Sequence, residues 1–98
     1  MKVRFHPAAE AELRGAARYY EDRVPGLGGE LVAEVERVCA RPTERHELGP
    51  RLDAEHRRIA LRRFPFGLIY RVTSSVVQIV AVAHRRRRPD YWKTLQPR

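Results

Sequence analysis

Residues 57–72, RRIALRRFPFGLIYRV, decide the fold, because they contain two runs of β-forming residues whose side chains alternate in character. In the first run Ile59 and Leu61 share one face, and basic or small residues share the other. In the second run one face carries four apolar residues: Phe66, Leu68, Tyr70 and Val72. Pro65 and Gly67 lie at the connection, where a missing N–H group or a bend is tolerated. The stretch therefore predicts two neighbouring strands with one face against a core.

Residues 76–84, VVQIVAVAH, predict a third strand. Their almost unbroken apolar character indicates that both faces are covered, which places this strand at the centre of the sheet. The strand runs directly into Arg85, Arg86, Arg87 and Arg88, so it delivers four guanidinium groups to one end of the sheet. We expect the function of the protein to lie at this junction.

Two helices are predicted ahead of these strands. Residues 2–6 alternate as a short strand, and Pro7 favours a helix start because proline is tolerated at the first helical position. Apolar residues then recur at helical spacing as far as about Arg23, with Glu12 on the outer side. A glycine-rich turn at residues 24–29 leads to a second helix at about residues 30–40. The two helices are expected to form an antiparallel hairpin.

Three local predictions concern the same half of the chain. Tyr19 and Tyr20 are interpreted as core residues, since aromatic side chains at helical spacing usually pack inside. Cys39 is the only cysteine, which excludes an internal disulfide, and its apolar neighbours indicate a buried thiol. Residues 41–56 predict an irregular connection that is either packed by Leu48 and Leu52 or mobile.

Positive charge is concentrated in the second half of the chain. Residues 1–50 hold eight Lys/Arg against nine Asp/Glu, a net charge of −1, whereas residues 51–98 hold twelve against three, a net charge of +9. Eighteen of the 20 basic residues are arginine, which suits bidentate contact with phosphate or carboxylate groups. This imbalance predicts a nucleic acid or an acidic protein as the partner.

Length and composition also limit the class of protein. The 98 residues are enough for a single domain, residues 1–98, with one modest core. No apolar run approaches the roughly 20 residues of a membrane span, and no signal-peptide pattern is present, so we expect a cytoplasmic protein with no membrane partner. His46 and His56 lack the spacing to other histidines or to the cysteine that zinc sites show. Neither a metal nor a cofactor is therefore expected.

The order of a strand, two helices, three strands and a basic, aromatic tail resembles the RelE/ParE superfamily of toxins from bacterial type II toxin–antitoxin modules. The resemblance covers nearly the whole chain and is most specific at residues 5–7, 63–72 and 79–88. It implies an α+β fold, β-α-α-β-β-β, in which residues 57–84 form three consecutive antiparallel strands and residues 3–6 pair in parallel with the last. It also implies a cognate acidic antitoxin that wraps the toxin.

The superfamily divides by target, and the resemblance implies different site residues for each target. RelE-like members cleave mRNA in the ribosomal A site, and Arg58, Arg85 and Tyr91 fall at positions of their catalytic set. Ala60 and Gly67 stand where two further cations of that set are found. ParE-like members inhibit DNA gyrase and lack the set.

The motifs at residues 64–67 and 84–89 are more similar to the ParE-like members. We therefore expect a toxin that binds gyrase without performing chemistry. The expected target-binding residues are Arg62, His84, Arg85, Arg86 and Trp92. One alternative is a ribosome-dependent mRNA endoribonuclease, in which Tyr91 or His84 would have to act as the base because arginine is always protonated. Another is a non-catalytic basic module that binds nucleic acid.

Overall fold

The computed structural model describes residues 1–94, which form one sheet and a helical hairpin. The strands are β1 (Lys2–Phe5), β2 (Arg57–Ala60), β3 (Phe66–Thr73) and β4 (Val76–His84). The helices are α1 (Pro7–Arg23) and α2 (Leu27–Cys39), and two short 3₁₀ helices lie at Arg41–Thr43 and Tyr91–Thr94. This element order confirms the predicted α+β class. Residues 95–98 of the predicted domain lie outside the described residues.

The sheet has the strand order β1-β4-β3-β2. β1 pairs in parallel with β4, while β3 pairs antiparallel with both β4 and β2. The predicted topology is therefore confirmed, including the parallel attachment of the first strand. β4 lies in the interior of the sheet, and its apolar residues are buried on both faces, as its sequence predicts.

A register shift between β3 and β4 distributes the apolar side chains between the two faces. Ile69 pairs with Ala81 and Tyr70 pairs with Ile79, so β4 carries one extra residue at this point. On one face, Ile79 and Val82 join the main core with the helical hairpin. On the other face a smaller cluster forms from Ile69, Val80, Ala81, Ala83 and Trp92. The C-terminal 3₁₀ helix covers this second face.

The turn between the helices is shorter than predicted, because α2 begins at Leu27 rather than near residue 30. The carboxylate of Glu21 accepts hydrogen bonds from the N–H groups of Gly26 (2.8 Å) and Gly28 (3.0 Å), which satisfies donors that a helix start leaves free. A Cβ atom at Gly28 would collide with the carbonyl oxygen of Ala17, so glycine permits the close approach of the helices here. Within residues 1–94 no helix is long and apolar enough to cross a membrane.

The connection before β2 packs onto the sheet, which is the first of the two alternatives that the sequence leaves open. The Tyr70 hydroxyl lies within hydrogen-bond distance of two carbonyl oxygens, that of Leu48 (2.7 Å) and that of His46 (3.0 Å), and the Arg58 N–H donates to the carbonyl of Pro50 (3.1 Å). Leu48 packs against the core as predicted, whereas Leu52 is 39% exposed. The connection thus covers the edge of β2, which would otherwise offer unpaired backbone groups.

Two features of this connection fix its path. Gly49 has φ +81°, and a Cβ atom there would collide with the carbonyl oxygen of Arg58, so only glycine fits. Asp53 accepts hydrogen bonds from the N–H groups of Glu55 and His56, both 2.8 Å, and lies 3.0 Å from the His56 ring. Burial alone would raise the pKa of Asp53, but these hydrogen bonds outweigh it and hold that pKa well below its usual range.

The predictions for the aromatic pair and the cysteine have different outcomes. Cys39 is buried in the main core, and burial raises the pKa of its thiol, which confirms a packing residue. Tyr20 packs edge-on against Phe64 with ring centroids 5.1 Å apart. Tyr19 is 51% exposed, so its prediction as a core residue is wrong. It lies on the outer face of α1, where the Arg23 guanidinium stacks 3.6 Å from its ring centroid.

Candidate target-binding site

The end of β4 is held beside the connection between β2 and β3. Phe66 pairs with His84, and the Arg85 N–H donates to the carbonyl of Pro65 at 2.9 Å. On the other side of the connection, the buried carboxylate of Glu34 on α2 accepts from the N–H groups of Arg62 (2.7 Å) and Arg63 (3.4 Å). These hydrogen bonds therefore fix the backbone positions of Arg62, Arg63 and Arg85.

Six arginines form what we call the basic surface: Arg58, Arg62, Arg85, Arg86, Arg87 and Arg88. Within residues 1–94 none of the six forms an ion pair, whereas Arg63 pairs with Glu30 at 2.5 Å. Arg58 is half-buried on β2, and the other five are exposed. The concentration of charge seen in the sequence thus becomes a local surface whose countercharge must come from outside these residues.

Two neighbouring cavities open on the basic surface. The connection cavity, about 380 Å³, is lined by Arg62 and Arg63 together with apolar side chains such as Phe64 and Phe66. The tyrosine cavity, about 240 Å³, has an apolar floor that includes Ile69 and Ala83, and its rim carries Arg87, Arg88, His84 and Tyr91. Arg58 and Arg85 line both cavities and so lie between them.

The predicted site residues are therefore largely brought together. Arg58, Arg85 and Tyr91, which the ribonuclease alternative requires, line one cavity, and His84 lies beside them. Arg62 lines the neighbouring cavity. Arg86 is exposed but lines neither of the two.

The structure explains why glycine stands at position 67, which the sequence alone does not. The Arg58 side chain lies across Gly67, and a Cβ atom there would be 2.6 Å from Nε and 2.7 Å from Nη2 of Arg58. In the antiparallel pairing of β2 with β3, Ala60 is opposite Gly67, and Arg58 reaches it diagonally. The guanidinium of Arg58, on the neighbouring strand β2, thus occupies the space that a larger side chain at position 67 would need.

The imidazole of His84 is used to hold the arginine turn. Its Nδ1 accepts a hydrogen bond of 3.0 Å from the Arg86 N–H, and its ring meets Phe66 edge-on with centroids 5.1 Å apart. With Nδ1 accepting this bond, a neutral imidazole carries its proton on Nε2. His84 therefore positions the arginine turn. The lone pair that could take a proton belongs to Nδ1 and already accepts the hydrogen bond from Arg86.

Tyr91 is hydrogen-bonded to Glu12, a residue that helical spacing puts on the outer side of α1. Its hydroxyl donates to Oε2 of Glu12 at 2.6 Å, and Oε1 of Glu12 accepts from the Val82 N–H at 2.9 Å. Burial and then the contact with Glu12 raise the pKa of Tyr91 above its ordinary value. At neutral pH the phenol is therefore a hydrogen-bond donor and not a base.

The role of Glu12 as a hydrogen-bond acceptor follows only from the strand pairing in the sheet. β1 pairs with β4 only as far as Ile79, so the Val82 N–H lies beyond the end of the neighbouring strand. The Glu12 carboxylate supplies the acceptor that β1 does not reach, which is why a charged residue is half-buried there. Helical periodicity alone carries no signal for this role.

Trp92 requires a correction. It was predicted to contact the target, but its side chain is only 3% exposed, and its indole N–H donates to the carbonyl of Pro89 at 2.9 Å. Its ring packs against His56 with centroids 4.5 Å apart and completes the second apolar cluster. A ring buried to this degree packs the C-terminal 3₁₀ helix against the sheet and offers little surface for contact with a partner.

Comparison with known protein families identifies the class to which a chain with this fold and this surface belongs. The chain matches the family model of the ParE toxin of the type II toxin–antitoxin system, parDE, over residues 3–89. The protein therefore belongs to the ParE toxin family and is a type II toxin, as the resemblance in its sequence implies.

A solved structure is also similar. A chain of the chromosomal ParDE TA system from P. aeruginosa matches with a TM-score of 0.73 and 21% sequence identity, covering 86% of this chain and 95% of that chain. At this identity the likeness shows a shared fold. No curated protein matches the chain significantly.

Proposed function

We propose that this toxin acts by binding DNA gyrase through the basic surface, without performing chemistry on its target. The observation that carries the proposal is the state of Tyr91, whose hydroxyl is bonded to Glu12 and whose pKa is raised. Cleavage of RNA by its 2′-hydroxyl needs a base, and arginine cannot serve because it stays protonated. The cavities thus offer binding groups with no group ready to take a proton. Gyrase lies in the cytoplasm, where we propose that the protein acts.

The ribonuclease remains a second candidate because of one observation. Arg58, Arg85 and Tyr91 line the same cavity, as a shared scissile phosphate would require. Of the catalytic set that the resemblance to RelE-like members implies, two cations are absent, because Ala60 and Gly67 stand at their positions. Loss of one transition-state donor typically costs roughly 10²-fold or more in rate, so two such losses weigh against cleavage.

Gyrase supercoiling and ribosomal cleavage, measured side by side, test the proposal. We expect the wild type to inhibit supercoiling and to leave no A-site cuts on translating ribosomes. Arg85→Ala and Arg86→Ala should each weaken gyrase inhibition by an amount typical of an interface hot spot, about 1–4 kcal/mol. Arg14→Ala is the matched control, because Arg14 is exposed on α1 and paired with Glu10 at 3.3 Å. Codon-positioned mRNA cleavage that Tyr91→Phe abolishes with folding intact would refute the proposal.

We further propose that a cognate acidic antitoxin neutralises the toxin by covering the basic surface. The unpaired arginines supply a strong field that speeds association with an acidic partner, and salt weakens such steering. The association rate should therefore fall as ionic strength rises. An association rate that stays constant from low to high salt would show that charge does not recruit the antitoxin.

A further inference from the structure

We infer that the basic surface is a DNA phosphate-binding site, so that this toxin engages gyrase preferentially when gyrase holds DNA. The inference rests on the proposed function, because it assigns part of the gyrase contact to the DNA. The ligand is the phosphodiester backbone of duplex DNA, read without base specificity.

The composition of the surface favours phosphate over an apolar protein contact. Protein–protein interfaces place aromatic and apolar anchors at their centre and are depleted of charge there, whereas protein–DNA interfaces are strongly positive. The exposed large apolar residues described are Met1, Tyr19, Val24 and Leu52. Of these only Leu52 lines either of the two cavities. Four arginines that form no ion pair within residues 1–94 line the same cavity as Leu52, namely Arg58, Arg85, Arg87 and Arg88, and this balance suits a polyanion.

Two of the guanidinium groups, those of Arg58 and Arg87, are also held in place before any ligand arrives. The Arg58 side chain lies across Gly67. The backbone of Arg85, the other residue shared by the two cavities, is fixed by the hydrogen bond from its N–H group to the carbonyl of Pro65. The Arg87 guanidinium stacks 3.9 Å from the ring centroid of Tyr91, which Glu12 in turn holds. Groups that are already ordered lose less conformational entropy on binding. This distinguishes a built site from a surface that is merely basic.

Gly67→Ala tests this distinction, since it leaves the net charge unchanged. The three atoms nearest to the added Cβ atom all belong to the Arg58 side chain, so Gly67→Ala would displace the Arg58 guanidinium from its place and none of these three contacts involves the backbone. If the surface attracts DNA by charge alone, Gly67→Ala should bind as the wild type does. If Arg58 is placed to meet a phosphate, Gly67→Ala should weaken binding as much as Arg58→Ala does.

The first experiment measures binding of the full-length toxin to a labelled duplex by fluorescence anisotropy between 50 and 200 mM salt. Arg58→Ala and Arg85→Ala should each reduce the slope of log K against log salt by about 0.9, which means roughly threefold less loss of affinity across this range. Arg14→Ala removes the same charge from α1 and should leave the slope unchanged. Thermal melting establishes that each variant is folded. Slopes that fall equally in all three variants, or wild-type binding by Gly67→Ala, would overturn the inference.

The second experiment measures binding of the toxin to purified gyrase with and without bound duplex. We expect at least tenfold tighter binding to the gyrase–DNA complex, and loss of that gain in Arg58→Ala and Gly67→Ala. Equal affinity for both forms would overturn the inference and leave gyrase inhibition standing. Binding to duplex alone with no binding to either gyrase form would instead overturn the proposed function. Tighter binding to poly-glutamate or to single-stranded RNA than to duplex DNA at equal charge would overturn the assignment of DNA as the ligand.

Discussion

Replacing Glu12 should loosen the end of the sheet that carries the basic surface. Its carboxylate accepts one hydrogen bond from Tyr91 (2.6 Å) and one from the Val82 N–H (2.9 Å), joining α1, β4 and the C-terminal 3₁₀ helix. A hydrogen bond to a charged group contributes about 1.5–3 kcal/mol, and both bonds here are partly buried, which favours the lower end. Glu12→Ala should therefore reduce the free energy of unfolding by about 3 kcal/mol. Tyr91→Phe, which removes one bond, should reduce it by about 1.5 kcal/mol.

A double-mutant cycle in urea isolates the contact between the two side chains. Once Glu12 is alanine, Tyr91→Phe should have almost no further effect, which gives a coupling energy of about 1–1.5 kcal/mol. Glu10→Ala is the matched control on α1, since Glu10 is exposed and its pair with Arg14 should contribute only a few tenths of a kcal/mol. The reasoning is refuted if Glu12→Ala costs no more than Glu10→Ala, or if Tyr91→Phe costs the same in both backgrounds.

Three further changes test other contacts of the frame by urea unfolding. Glu34→Ala strands two N–H groups of the β2–β3 connection and should cost about 2–4 kcal/mol, whereas Glu36→Ala, exposed on the same helix, should cost little. Gly49→Ala should destabilise by more than about 1 kcal/mol, because its φ is +81° and β2 leaves no room, while Gly15→Ala, with open space around it in α1, should stabilise by roughly 1 kcal/mol. Asp53→Asn should reduce the free energy of unfolding at pH 7, because the lowered pKa of Asp53 in the folded protein stabilises the fold above the ordinary pKa of aspartate. This contribution is lost as pH falls, so the difference in stability from the wild type should shrink below about pH 4. A difference that stays constant with pH would contradict the assignment.

The sequence predicts the sheet well because its signals are local. Alternation in residues 57–72 and the apolar run at residues 76–84 report burial directly, and the strands form where those patterns lie. The boundary of α2 was missed because Gly28 and Gly29 usually mark a turn. Here Glu21 caps the helix from a distance of several residues, and Ala17 requires glycine at position 28.

The site is predicted less completely, because its decisive contacts join residues far apart in the chain. Arg58 and Arg85 are site residues that the family resemblance implies, and both line the same cavity. Glu12 and Glu34 were not identified from the sequence, although each accepts backbone hydrogen bonds from a distant segment. A carboxylate on a helix has the same pattern whether it faces solvent or a free N–H group. Only the position of strand ends distinguishes the two cases.

The double variant Ala60→Lys and Gly67→Arg tests whether the two cations that the RelE-like set has at these positions would be enough for ribonuclease activity. Position 60 is exposed and opposite position 67 in the β2–β3 pair, so both new side chains would lie beside Arg58. An arginine at position 67 must displace the Arg58 guanidinium, which exchanges one cation for another and gains less than the sequence suggests. Tyr91 would still donate to Glu12 with a raised pKa, so no base would be supplied. We therefore expect the double variant to leave mRNA on translating ribosomes uncut, measured by primer extension across the A-site codon. Cleavage by the double variant that Tyr91→Phe removes would mean that two cations were all the site lacked.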